Sequence, residues 1–201
     1  MLANYRPHDI PSTMSHPLVD EAKASLMHAV NYLAEDEKKD IVRACHFGDI
    51  AHLKDKRKSG EPYITHPFAV AEILAGFGLD RDTIIAAILH DTVEDTEVTG
   101  EIVKDEFGEV VARLVDGVTK LKSSSMSKQQ SKAATFHKIL AATIIDPRVL
   151  IIKLADRLHN MSTLDAVREE KQKSTAQETL DFYIPFARIM GLNDIADYIE
   201  L

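Results

Sequence analysis

Apolar residues recur along this chain at helical spacing, and the runs break at proline, glycine and capping residues. Residues 1–14 carry Pro7 and Pro11 without any period and read as a flexible arm. A helix opens at Ser15-His16-Pro17, with Leu18, Ala22, Leu26, Ala29, Val30 and Leu33 as its stripe. Another covers residues 35–54 through Ile41, Ala44, Cys45, Ile50 and Ala51, with Gly48 interrupting its pattern. A basic loop, residues 54–62, leads to Tyr63-Ile64-Thr65-His66-Pro67. Pro67 starts a helix to Gly76, so His66 is held at a helix entrance. After Asp80 the run Ile84-Ile85-Ala86-Ala87-Ile88-Leu89 reads as a buried helix that continues into the acidic residues beyond it, with no turn signal between. Thr99 caps a helix to Phe107, Gly108 ends it, and residues 109–121 form the next. Residues 122–132 are polar and low in complexity, a loop whose first half is mobile. Helices over 132–145, 148–164 and 169–190 follow, the first two parted by Asp146-Pro147, and a short helix after Gly191-Leu192-Asn193 closes the chain. No strand alternation with hairpin turns is evident, and no solenoid repeat. The expected fold is all-α, a single domain of nine or ten helices over residues 15–201.

Composition narrows the function classes. The 201 residues are enough for a sizeable core, and 45% hydrophobic with 28% charged residues is a globular profile. A net charge of −8 argues against broad nucleic-acid binding and means that an anionic substrate needs a local basic patch. The one cysteine, Cys45, excludes an internal disulfide, fits a reducing cytoplasm and reads as a core residue. No apolar stretch approaches a membrane span, and the N-terminus lacks the apolar core of a signal peptide.

Candidate chemistry begins at His90-Asp91-Thr92-Val93-Glu94-Asp95-Thr96. On a helix His90 lies over Glu94 and Asp91 over Asp95, crowding three carboxylates and an imidazole within about a turn and a half. Such charges repel unless a cation sits among them, and histidine with carboxylates suits manganese, iron or zinc better than calcium. Taken alone, the alternative is a solvated acidic helix end. A second cluster lies in Lys153 to Met161. Lys153, Asp156, Asn160 and Thr163 form a polar stripe, with Leu150, Leu154 and Leu158 opposite. That stripe must face water or a polar site inside the fold. His66, His90, Asp91 and Asp156, from three helices, make a cation site within a helical bundle if they converge. His46, His52, His137 and His159 read as surface or packing residues, His159 because it points off the stripe.

In order, Arg57 to Pro67, His90 to Thr96, Val115 to Leu121 and Lys153 to Met161 resemble the hydrolase domain of the RelA/SpoT alarmone enzymes, a branch of the HD-domain phosphohydrolases. Glu178 to Pro185 is similar to that domain's closing helix, so the resemblance covers roughly residues 20–197. It implies an HD-domain helical bundle that removes the 3′-pyrophosphate of (p)ppGpp with manganese (Mn2+), giving GDP or GTP and pyrophosphate. It implies His66, His90, Asp91 and Asp156 as metal ligands, and Glu94 and Asp95 as the groups that handle the attacking water. It implies nucleotide contacts from Arg57, Lys58, Ser59, Asn160, Thr163 and Lys173, with Lys153 or Arg157 near the phosphates. The lysines of residues 117–145 suggest a loop that closes over phosphates.

The chain ends before a synthetase or regulatory domain begins, as in a small alarmone hydrolase or an excised hydrolase domain. Residues 165–175 follow the usual basic pattern loosely, and Val167 stands where a base-packing aliphatic is common, which leaves adenine alarmones or NADPH as alternative substrates. A non-catalytic alarmone-binding domain is the third reading, opposed by the intact Glu94-Asp95 pair. The expected partner is a small nucleotide, with no nucleic acid and no membrane, in a cytoplasmic monomer or homodimer.

Overall fold

A computed structural model describes residues 16–121 and 127–200. The expected arm, residues 1–14, and residues 122–126 of the expected 122–132 loop lie outside the described residues. The described chain is helical: α1 (Pro17–Ala29), α2 (Glu35–Ala51), α3 (Thr65–Gly76), α4 (Arg81–Leu89), α5 (Thr92–Asp95), α6 (Gly100–Phe107), α7 (Glu109–Val118), α8 (Lys128–Ile145), α9 (Arg148–Ser162), α10 (Glu169–Glu178), α11 (Ile184–Ile189) and α12 (Asn193–Glu200). A 3-10 turn, Leu164–Ala166, precedes α10, and a π turn, Thr179–Tyr183, joins α10 to α11. Among the described residues the only β pairing is an isolated bridge between Lys56 and Pro62. No described helix is long and apolar enough to cross a membrane.

Helix starts follow their caps. Asp80 accepts the Thr83 N–H at 3.1 Å to open α4, and Thr99 accepts that of Ile102 to open α6. Ser127 and Gln130 form a reciprocal capping box, which starts α8 four residues before its expected beginning at 132. Helix α2 runs unbroken through Gly48, against which Ile64 and Ile88 pack closely.

Two expected helices are interrupted. The helix expected to run from α4 into the acidic residues stops at Leu89. There His90 Nδ1 donates to Ala87 O at 2.7 Å and Thr92 Oγ1 donates to Leu89 O at 2.7 Å, so side chains take carbonyls of the last turn. The helix expected over 169–190 contains the π turn, where Thr179 Oγ1 donates to Thr175 O at 2.7 Å.

Helix α4 is buried from Thr83 to Leu89 and lies at the centre of the larger apolar cluster, with Leu26, Ile41, Phe47, Phe68, Leu74 and Leu114 among its neighbours. Helix α9 serves two cores. Val149, Ile152 and Ala155 join the larger cluster, while Leu150 and Leu154 join Tyr183, Ile184, Ile195 and Ile199 in a smaller one. Between those apolar stripes, the polar stripe of α9 turns toward the site.

Candidate metal centre and cleft

Each donor is placed by a different local device. His66 sits in the first turn of α3, His90 and Asp91 sit at the interruption after α4, and Asp156 lies midway along α9. All four are buried. One ligand atom from each of His66, His90 and Asp156 lies within 4.8 Å of the others. His66 Nε2 is 3.3 Å from Asp156 Oδ1, and His90 Nε2 is 3.9 Å from the same oxygen. Asp91 Oδ2 completes the group, 3.1 Å from His90 Nε2 and 3.8 Å from His66 Nε2.

Neighbouring groups orient these donors. Ala87 O accepts a hydrogen bond from His90 Nδ1–H, leaving Nε2 aimed at the carboxylates. Among the described residues, His90 Nε2 is buried without a hydrogen bond of proper geometry. The Tyr63 hydroxyl donates to Asp91 Oδ2 at 2.6 Å. Lys153 Nζ donates to Asp156 Oδ2 at 2.7 Å, and Asn160 Nδ2 to Asp156 Oδ1 at 2.6 Å. Two imidazoles and two carboxylates, oriented by neighbouring groups, match a transition-metal donor set.

The electrostatics show the same demand for positive charge. Burial disfavours a charged His90, but Asp91 and Asp156 outweigh it and push the ring up to about 9. Burial likewise opposes ionisation of Asp156, but Lys153, His66 and His90 hold its carboxyl well below the usual range. Asp91 is lowered against burial by His90 and His66. For Tyr63, burial and then Asp91 raise the phenol, which keeps it a donor.

The cluster forms part of the wall of a cleft of about 1540 Å³. The expected nucleotide residues Arg57, Lys58, Ser59, Lys153, Asn160 and Thr163 line it. The first three are presented by a tight turn in which Gly60 N–H reaches Arg57 O at 2.9 Å. Gly60 holds φ +96, a conformation that favours glycine. Arg57 Nη2 crosses to Thr163 Oγ1 at 3.1 Å, tying that turn to α9.

Lys173 does not line the cleft. It is exposed and pairs with Glu169 at 2.6 Å, one turn away on α10, while Lys171 lines the cleft instead. Two residues turn a helix by about 200°, so the rotation of α10 decides which lysine faces inward. Burial and the nearby Lys132, with Arg157 and Lys120 further contributing, push Lys171 down. Arg157 is itself held by Glu178 at 3.2 Å and stacks over Tyr183 at 4.2 Å.

Glu94 and Asp95 also lie outside the lining. The break after α4 places them on the short α5, where Asp95 is exposed and Glu94 meets the Lys120 ammonium at 3.0 Å and its N–H at 3.3 Å. His159 corrects an expectation. It is half-buried, and its Nδ1 lies 2.8 Å from His66 Nδ1. Burial, followed by His66 and Arg57, pushes it down to about 4. The signal for it was in the spacing. His159 is three residues after Asp156, about 60° round the helix from it, at the margin of the polar stripe. Tyr63, the other residue missed, was legible only as part of the Tyr63–Pro67 word. Cys45 is a core residue as expected, with burial raising its thiol to about 12.

Comparison with known proteins places this arrangement. Residues 44–193 match the family model described as HD domain. The chain is 48% identical over 161 residues to a guanosine-3′,5′-bis(diphosphate) 3′-pyrophosphohydrolase of Aquifex aeolicus, an overlap of 80% of this chain and 23% of that protein. It is 50% identical over 157 residues to a GTP pyrophosphokinase of Streptomyces coelicolor, covering 78% of this chain and 18% of that protein. The chain therefore spans about a quarter or less of the length of these curated relatives. A solved structure of a metazoan ortholog of SpoT that hydrolyses ppGpp superposes with a TM-score of 0.68 at 27% identity, covering 80% of this chain and 93% of that one. Because the matched residues hold all four converging donors and make up most of the sequence, the chain belongs to the HD domain family.

Proposed function

We propose that this chain is a metal-dependent hydrolase that removes the 3′-pyrophosphate of (p)ppGpp, yielding GDP or GTP and pyrophosphate. The observation that carries the reading is the buried His90 Nε2, without a proper hydrogen bond, among His66, Asp91 and Asp156 at the wall of a cation-lined cleft. The likeness to named pyrophosphohydrolases supports the choice of substrate.

His66, His90, Asp91 and Asp156 would hold the ion; the mixed imidazole and carboxylate set suits manganese, iron or zinc, and the resemblance to the alarmone hydrolases is what favours manganese. A bound divalent cation lowers the pKa of water and offsets charge on the phosphoryl group. The chain's own residues supply the rest. Arg57, Lys58, Lys132 and Lys171, which all line the cleft, offset substrate charge that an acidic protein would otherwise repel. Ser59, Asn160 and Thr163 offer hydrogen bonds to ribose and base, and Lys153 neutralises Asp156 from behind. Attack of water on the 3′ phosphorus breaks its bond to the ribose oxygen. One proton must leave the water and one must reach O3′. Glu94 and Asp95 are the proposed proton carriers, with Lys120 tethering the Glu94 carboxylate beside the cleft. Lys171 takes the place proposed from sequence for Lys173.

The reading further takes residues 15–201 as one hydrolase domain acting on a small nucleotide in the cytoplasm. Its test is turnover of ppGpp, pppGpp, ppApp and NADPH by chelated protein resupplied with Mn2+. Pyrophosphate release from the guanine substrates supports it. Preferential turnover of ppApp or NADPH reassigns the substrate, and binding without turnover makes the chain a regulatory domain.

A further inference from the structure

His159 contributes no atom to the donor cluster, yet its Nδ1 lies 2.8 Å from Nδ1 of His66, with the ring centroids 4.8 Å apart. Two imidazole nitrogens at that distance share one hydrogen, one ring donating and the other accepting. The outward atom of His66 is Nε2, which faces Asp156 at 3.3 Å and Asp91 at 3.8 Å. To offer a lone pair to a cation there, the neutral ring must carry its hydrogen on Nδ1. That hydrogen can then go only to His159, whose own hydrogen must sit on Nε2. His90 solves the same problem with a backbone carbonyl, Ala87 O, at 2.7 Å. His66 Nδ1 instead meets a side chain, His159 on α9.

We propose that His159 is a positioning residue for the metal centre, accepting the Nδ1 hydrogen of His66 and thereby fixing the tautomer and plane that present Nε2 to the ion. The assignment rests on the reading of His66, His90, Asp91 and Asp156 as a metal site. Its position on α9 suits the task. Three residues after Asp156, His159 lets one helix supply both a donor to the ion and the support for a donor from another helix. Its backbone carbonyl accepts from Thr163 Oγ1 at 3.0 Å, and that hydroxyl also receives Arg57, so the support is continuous with the nucleotide side of the cleft.

The test compares His159→Asn, His159→Leu and His159→Ala. Asparagine places its Oδ1 on the branch where histidine carries Nδ1 and keeps an acceptor there. Leucine keeps bulk without an acceptor, and alanine removes both. Each full-length variant is chelated, checked for helical content, and titrated with Mn2+ alone by electron paramagnetic resonance. The leucine and alanine variants should bind Mn2+ about 10–100-fold more weakly than the parent chain, while His159→Asn stays within a few-fold of it. At saturating Mn2+ the KM for ppGpp should be unchanged in all three. Parent-like affinity in His159→Leu or His159→Ala overturns the assignment, as does an equal loss in His159→Asn, which would make the role one of packing. Failure of the parent chain itself to bind Mn2+ overturns both this assignment and the reading beneath it.

Discussion

Lys153 Nζ and Asp156 Oδ2 lie 2.7 Å apart on successive turns of α9, and neither side chain is more than a tenth exposed. The pair divides the labour of the Asp156 carboxylate. Oδ2 meets the ammonium, while Oδ1 faces His66 and His90. Removing one member of a buried pair leaves the other uncompensated, at a cost of about 3–5 kcal/mol. Lys153→Met should therefore destabilise the chelated protein strongly. Added Mn2+ should raise its melting temperature by more than it raises that of the parent chain, because a cation then replaces the lost one. Calorimetry with and without Mn2+ checks both.

Glu94 is proposed to carry a proton of the attacking water rather than to hold the ion. Its side chain is 5% exposed and tethered by Lys120. Glu94→Gln keeps the shape and loses the proton-carrying group. We expect kcat to fall by about 100-fold or more with Mn2+ affinity nearly unchanged. Parallel loss of metal in equilibrium dialysis would instead make Glu94 part of the ion's shell.

Asp146 gives a pH prediction away from the site. Arg148 donates to it from its backbone N–H at 3.2 Å, from Nε at 2.9 Å and from Nη2 at 2.8 Å. Those bonds hold the carboxyl below its ordinary value despite burial. A lowered carboxyl contributes stability that is complete above the unfolded pKa, near 3.9, and is lost as pH falls through the folded pKa. Asp146→Asn should cost about 1–3 kcal/mol at pH 7. The gap to the parent chain should close as pH falls below about 4. Urea unfolding at several pH values measures it.

Gly117 brings α7 close to Val149 and Ala142. A Cβ there would lie 2.7 Å from Val149 Cγ2, 3.1 Å from its Cγ1 and 3.3 Å from Ala142 Cβ. Valine at a buried helical position has little rotamer freedom with which to retreat. Gly117→Ala should cost about 1–3 kcal/mol despite alanine's better helix propensity. It should appear as a lower urea midpoint at unchanged slope.

Helix existence was legible where a cap and a stripe coincide, as at Pro17, Asp80 and Thr99. It was less so where side chains compete with the backbone. Thr92 looks like an ordinary helical residue until its hydroxyl takes Leu89 O, and that contest ends α4. The convergence of His66, His90 and Asp156 was readable as residue types and helical faces, but the distances come from how α3, α4 and α9 pack. The inward turn of Lys171 rather than Lys173 depends on the rotation of α10 between a 3-10 turn and a π turn, neither of which has a pattern of its own in the residues. His159 was missed because its partner is 93 positions away on another helix.

On the proposed reading, one ion held by His66, His90, Asp91 and Asp156 is required for breaking the 3′ ester of ppGpp. Titrating Mn2+ into the chelated chain while recording pyrophosphate release tests it most directly. We expect no release without metal, a rate that rises in step with one bound Mn2+ per chain, and loss of both in Asp91→Ala. Undiminished release by metal-free protein, or by an Asp91→Ala chain that binds no Mn2+, would contradict it.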